Sequence, residues 1–416
     1  MSTDTRPTLD TPPGNPANPA RSRRILALGV LIMMLEGWDL GALGTVGPSL
    51  LDYAPWQATD ATIGMLGSVL AVGMPIGGFL AGRAADAWGR RAPVLVCLAW
   101  VSIAMMISTF APGLAIFAVG LGLTGIGIGG LTTLTITFVA DAAPARRGAF
   151  YVGAAQCGVA LGGVIVAFVG RAVLPQWSFQ WLFLFGALAL LLIPACWYLV
   201  PNLAASLEAK EHAPLRALHS PRFRRLTVLF STASFFVLLL VSAVAVWLPT
   251  LLVHSGHDLH SALGFTVAFN GGAIAGTLIA TLIADRGWTK ATIIACLVCA
   301  SVAMLALSVV GATWLILLMS AAAGIGAFGT QNLLNAYITG SYPLRLRGTA
   351  LGLIMGLGRI GAIAGPAYVS AVTGTWSAPA IGFYALIVPA VIAAAFVGLI
   401  RPASQSEYSV LVSRTP

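Results

Sequence analysis

Three charged side chains lie deep inside apolar stretches of this chain: Glu36, Asp39 and Arg359. A charge at the centre of a bilayer is expensive unless it faces protein or water, so such residues are functional candidates by default. Glu36 lies 11 residues beyond Ile25, about 16 Å of helix. Arg359 lies 12 residues beyond Arg347, about 18 Å. Both depths fall near the middle of an apolar layer about 30 Å thick. Glu36 and Asp39 are spaced i,i+3 and share one helix face. Two carboxylates that close in a low dielectric cannot both ionise cheaply, so the pair can hold a proton near neutral pH. Arg359 keeps its charge, and its planar fork matches a carboxylate bidentately. The three residues therefore offer proton exchange at the acids and carboxylate binding at the arginine. In the empty protein Arg359 is expected to pair with one acid, and binding proton and carboxylate together would release it. The alternative is a permanent structural ion pair between two helices.

Side chains at that depth must be carried by membrane-crossing helices, and the composition agrees. The 416 residues are 58% hydrophobic and 8% charged, whereas soluble domains carry about 25% charge. Thirteen acids and 22 bases cannot solvate the surface of a soluble enzyme of this length. The net charge of +9 is dealt out in small groups between apolar runs, which excludes a nucleic-acid-binding patch. Twelve apolar runs lie between residues 25 and 400, each long enough to span a bilayer. Residues 1–24 read as a polar, proline-rich cytoplasmic tail without the apolar core of a signal peptide. Residues 25–200 form a first six-helix bundle, 201–224 a charged cytoplasmic loop, 225–400 a second bundle and 401–416 a cytoplasmic tail. With the N-terminus in the cytoplasm, 20 of the 22 bases fall on the cytoplasmic side. Arg171 alone falls outside and Arg359 within a helix, as the positive-inside rule requires. Both termini are then expected on the cytoplasmic side of a cell membrane.

The halves repeat. Asp86 and Asp285 occupy equivalent places, as do Pro144 and Pro343, at an offset of 199 residues. A parallel repeat of two six-helix units is a transporter plan with its site between the halves.

Residues 78–91 read GFLAGRAADAWGRR, with Gly82, Asp86, Gly89, Arg90 and Arg91 at its core. Together with Asp285-Arg286 in the second half, this resembles the signature loop of the major facilitator superfamily. Its physical reading is a glycine turn and an ionic latch on the cytoplasmic face, which Arg347 joins; the alternative is topology anchoring by positive charge alone. Further matches are Glu36-Gly37-Trp38-Asp39, Gly47-Pro48-Ser49-Leu50, Trp247-Leu248-Pro249-Thr250, Tyr342-Pro343, Gly358-Arg359-Ile360-Gly361 and Gly365-Pro366. Over residues 25–400 the chain resembles the aromatic acid:proton symporter branch. The resemblance implies proton-driven uptake of benzoate-type carboxylates. Three positions depart from that branch. Its first motif usually begins with Asp, here Glu36. Its helix 4 arginine is here Leu121, which bears on substrate range and coupling route but not on fold. A histidine found in some members is here Lys290.

Gln331 and Asn335 are i,i+4 on the tenth run and can bond ring hydroxyls or, equally, a neighbouring helix. Trp38, Phe269 and Tyr337 can stack on an aromatic ring, with packing as the plainer reading for each. Pro249 and Pro366 are read as kinks that help to make gates. Gly120-Leu-Gly122-Leu-Thr-Gly125 matches a dinucleotide-binding fingerprint in letters, but no strand precedes it, and it reads with Gly127, Gly129 and Gly130 as a packing face. Cys296 and Cys299 lack a second pair or nearby histidine for a metal. His254, His257 and His260 read as a solvated outer loop, with a metal site as the alternative.

The expectation is thus an all-α integral membrane protein of twelve helices in two pseudo-symmetric bundles. It is expected to be no enzyme, to need no cofactor or metal, and to work as a monomer in the lipid bilayer on a small aromatic acid and protons. The alternative is a proton-coupled exporter on the same fold. A membrane enzyme would need a catalytic dyad or metal cluster that the sequence does not display, and a non-transporting sensor would have no use for proton coupling.

Overall fold

The computed structural model describes residues 19–144, 147–174, 176–200, 218, 220–284, 288–309, 311–342, 346–375 and 380–400. The N-terminal tail before residue 19, most of the central loop, Asp285, Arg286, the Asp86 side chain and the C-terminal tail lie outside the described residues.

Among the described residues, twelve helices are long and apolar enough to cross a membrane. They are α1 (Pro19–Leu51), α2 (Asp60–Trp88), α3 (Arg91–Thr109), α4 (Leu114–Ala142), α5 (Gly148–Val173) and α6 (Gln180–Leu199), then α7 (Pro221–His254), α8 (Leu259–Ala284), α9 (Thr289–Leu307), α10 (Thr313–Ser341), α11 (Arg347–Thr375) and α12 (Ile381–Leu399). α1 and α7 begin a few residues before their apolar runs. Hydropathy marks where a helix meets lipid, and a polar turn can extend it beyond that layer. Pro221 suits the first turn of α7, where its missing N–H has no intrahelical role. Thr59 starts α2 with a reciprocal capping box to Thr62. α6 passes through a 3₁₀ segment at Ala187–Leu192. Pro194 cannot donate to the Leu190 carbonyl, and that carbonyl takes the Ile193 N–H instead.

The two halves pack alike. α1 lies on α5 as α7 lies on α11; α2 on α4 as α8 on α10; α3 on α4 as α9 on α10. Between the halves, α2 meets α11, α5 meets α8 and α1 meets α7. Glycines at the 199-residue offset explain the matching crossings. Gly73, Gly77 and Gly125 let α2 and α4 meet backbone to backbone, and Gly272, Gly276 and Gly324 do the same for α8 and α10. Without a hydrophobic drive between helices in lipid, such close approach is what holds them. The glycines of the dinucleotide-like stretch are part of this packing: Gly125 and Gly129 face α2, and Gly120 and Gly127 face α3.

A Cβ on Gly77 would fall on the Ile126 carbonyl, whereas one on Gly82 would meet open space. Gly77→Ala is therefore expected to destabilise the protein by about 1–3 kcal/mol, and Gly82→Ala not at all. Thermal unfolding of the detergent-purified variants checks this, and equal melting temperatures would refute the packing argument.

Arg90 and Arg91 of the signature loop have partners in their own half. Gly89 (φ 76°) turns the chain from α2 into α3. Arg90 pairs with Asp141 and donates to the Thr137 carbonyl at 3.2 Å. Arg91 Nε caps the end of α6 at Val200 O (3.0 Å). Lys290, at the equivalent place 199 residues on, caps α12 at Gly398 O (2.8 Å) and Ile400 O (2.6 Å). A cation on the last carbonyls of a helix complements its dipole. Arg347 donates to Tyr342 O (3.0 Å), and the Tyr342 hydroxyl meets Thr227 at 2.9 Å.

Candidate substrate and proton site

Glu36 and Asp39 on α1 are 4% and 1% exposed. Gly37 and Gly162 let α1 press against the α5 backbone, which turns the acid-bearing face towards the other helices of the bundle. Glu36 lies within reach of the Thr132 hydroxyl of α4, and its charge and that of Arg359 act on each other across the halves. Glu36 Oε2 has no hydrogen-bond partner. Asp39 takes a different direction: its Oδ1 lies beside Gly186 of α6, next to Met105 of α3. Both Asp39 oxygens are buried without a partner. Leu121, at the place of the branch's helix 4 arginine, is fully buried in the first bundle's core.

Arg359 is half-buried on α11. It makes no hydrogen bond or ion pair with a described residue, so the ion pair expected for the empty protein is not formed. Gly358 and Gly361 pack α11 against Ser234 and the Phe235 backbone of α7. One turn before Arg359, Met355 meets a polar group on α10 and α7. Gln331 Nε2 donates to Asn335 Oδ1 (3.2 Å) and to Met355 Sδ (3.6 Å), and Ser234 Oγ donates to the same sulfur at 3.9 Å.

The three aromatic candidates divide. Tyr337 packs edge-on against Phe230 at 5.2 Å, and its hydroxyl is buried without a partner. Trp38 points into the first bundle, with its N–H on Leu182 O (3.1 Å) and its ring edge-on to Phe185. Phe269 is buried against Phe328 within the second bundle.

The ties that cross between the halves include Ser68 Oγ to Ile363 O (2.7 Å), Ser370 Oγ to Asp60 O (3.1 Å) and Arg171 Nε to His260 Nε2 (2.8 Å). His254 also approaches Asp60 at 3.9 Å. All of these lie in the half of the molecule away from the chain ends. The prolines lie beside these contacts. Pro366 has no N–H for the Ala362 carbonyl, and Ser242 Oγ takes that carbonyl at 2.6 Å. Pro249 frees the Ala245 carbonyl, against which Gly44 of the other half packs. Asp258 caps the start of α8 at Ser261 N (3.0 Å), and its bonds to the Ser261 hydroxyl and N–H hold its carboxyl below the ordinary range. His254 and His260 are thus contact residues, and His257 packs on Phe265. No group of three metal-ligating side chains occurs among the described residues.

Sequence reasoning did not find Thr132, Ser234, Met355, Ser68 or the Arg171–His260 pair as partners. Only Arg171 carried a signal, as the one base that the positive-inside count expects on the outer side.

Residues 29–366 match the Major Facilitator Superfamily. A gentisate transporter of Corynebacterium glutamicum is 31% identical over 360 residues, covering 83% of this chain and 80% of that protein. A benzoate transport protein of Acinetobacter baylyi is 26% identical, covering 91% and 89%. Among solved structures, a bacterial homologue of the human lysosomal transporter Spinster, inward-facing and unoccupied, has a TM-score of 0.76 at 17% identity over 97% of this chain and 100% of that one. The D-xylose-proton symporter has a TM-score of 0.72 at 17% identity over 91% and 98%.

Proposed function

Since this chain belongs to the major facilitator superfamily, we propose that it carries a small aromatic carboxylate into the cell together with a proton, by alternating access between its two halves. The observation that carries this reading is Arg359: a half-buried cation in the middle of a membrane helix, without a hydrogen bond or ion pair to a described residue, its charge acting with that of buried Glu36 across the halves. A bidentate arginine is suited to a carboxylate. The relatives named for gentisate and benzoate transport favour an aromatic one.

The proton belongs to the Glu36–Asp39 pair. Three of its four carboxylate oxygens are buried and unpartnered. Leaving two charged acids in that state is costly, and one bound proton reduces the cost. Glu36 is the member that senses Arg359. The substrate carboxylate on Arg359 removes the positive charge that Glu36 faces, and this favours the protonated acid. Proton and substrate then load together, and the halves rock around a neutralised centre. Asp39 holds the second carboxyl between α1, α3 and α6. Gln331, Asn335 and Tyr337 line the second bundle's side. In this reading the chain ends face the cytoplasm, the cross-half ties close the outer face, and Asp86, Arg90, Arg91, Asp285, Arg286 and Arg347 form the cytoplasmic latch.

The test is uptake of labelled 4-hydroxybenzoate into proteoliposomes, with and without an inward proton gradient. Accumulation driven by the gradient is expected. Uptake indifferent to the gradient removes the proton, and the absence of both uptake and ligand-induced thermal stabilisation removes the substrate class.

The outer closure has its own test. Ser68→Ala with Arg171→Ala removes two cross-half ties and is expected to speed labelling of Thr250→Cys from the outer face several-fold, in a background lacking the five native cysteines. Thr250 is buried against Gly47 of the other half. Unchanged labelling would mean that these bonds do not hold the outer face shut.

A further inference from the structure

The polar group beside Met355 has more hydrogen-bonding capacity than the protein uses. Gln331 Nε2 and Ser234 Oγ both aim at the Met355 thioether, which is a weak acceptor. Gln331 Oε1 beside them is buried and idle, as are Ser231 Oγ and the Tyr337 hydroxyl. A donor and an acceptor thus flank a spot that an unbranched, flexible methionine fills. Met355 precedes Arg359 by four residues on α11, so the spot lies about 6 Å along the helix from the arginine. That is the scale of an aromatic ring.

We propose that this spot is a subsite for a ring hydroxyl, so that the chain selects ring-hydroxylated aromatic carboxylates over unsubstituted ones. The inference rests on the proposed carboxylate binding at Arg359. With the carboxylate on Arg359, the ring lies along α11 and its hydroxyl displaces the Met355 side chain. The hydroxyl donates to Gln331 Oε1 and accepts from Ser234 Oγ. Asn335 orients the amide by accepting from Gln331 Nε2. A substrate without the hydroxyl leaves both groups facing the thioether. One lost hydrogen-bonded group corresponds to about tenfold in selectivity.

The experiment measures how well unlabelled benzoate, 3-hydroxybenzoate and 4-hydroxybenzoate compete with labelled 4-hydroxybenzoate uptake, in wild type, Gln331→Met and Ser234→Ala. Wild type is expected to prefer at least one hydroxybenzoate over benzoate by about tenfold, and both variants to bring the ratio towards one. The same ratio is read from ligand-induced shifts in melting temperature, which need no transport and decide the matter if a variant is inactive. Equal competition by benzoate and both hydroxybenzoates in wild type overturns the subsite while leaving carboxylate transport intact. So does a preference that survives both substitutions. Failure of wild type to carry or bind any of the three acids overturns the function on which the subsite rests, and the subsite with it.

Discussion

Arg359→Lys will reduce uptake of aromatic acids by on the order of 10- to 100-fold, and Arg359→Gln will abolish it within detection. Lysine keeps the charge but replaces a planar fork with a point donor, so one charge-assisted hydrogen bond to the carboxylate is lost, about 1.5–3 kcal/mol. Glutamine removes the charge as well. The loss must fall on the acid and not on the fold, because Arg359 has no described protein partner to lose. Melting temperatures of the unliganded variants are therefore expected to stay near wild type, while the stabilisation given by substrate disappears. Full uptake in the lysine variant would rule out bidentate recognition. A large fall in unliganded stability would instead return Arg359 to the role of a structural tie.

Glu36→Gln will uncouple transport from the proton. The variant mimics the protonated acid, so exchange of labelled for unlabelled substrate across the membrane is expected to persist, while accumulation against a gradient falls at least tenfold. Asp39→Asn is the informative comparison. Asp39 is turned towards Gly186 and Met105, and Glu36 towards Thr132 and Arg359. If the pair shares one proton, Asp39→Asn also loses accumulation, because the shared site has lost a member. If accumulation survives Asp39→Asn but not Glu36→Gln, the proton rests on Glu36 alone. Normal accumulation in both variants would sink the assignment of the proton to this pair. Both variants are read with and without an imposed inward proton gradient.

The depth of each charged residue was legible in the sequence because depth is a matter of counting residues along a helix. Glu36, Asp39 and Arg359 stood out since no other charge lies deep in the apolar runs. The direction each side chain takes was not legible. Asp39 and Trp38 share the motif with Glu36, yet both turn into the first bundle, Trp38 onto the Leu182 carbonyl. Phe269, an equal candidate by type, lies in the second bundle's core. In a soluble helix the polar face tells which side is buried. Here lipid and protein are both apolar, and that signal is absent. Arg91 and Lys290 show the same limit. Their places in the sequence did not tell that Arg91 meets the carbonyl that ends α6 and Lys290 the carbonyls that end α12. Capping needs only a helix end nearby, and which end is nearby depends on packing.

By itself the sequence determined the twelve spans, the division into two like halves and the three charges at mid-membrane. Hydropathy sets which segments leave water, and a 199-residue offset carries the same small residues to the same crossings. Tertiary structure alone decided how each helix is rotated and which neighbour it meets. Those follow from glycines meeting backbones on α1 and α5, α2 and α4, and their counterparts. It also decided where the halves join, through Ser68 on the Ile363 carbonyl, Ser370 on the Asp60 carbonyl and an arginine on a histidine. Such contacts join residues up to 310 positions apart in the chain. Ser242 on the Ala362 carbonyl, within the second half, follows instead from Pro366, which leaves that carbonyl without its helical N–H.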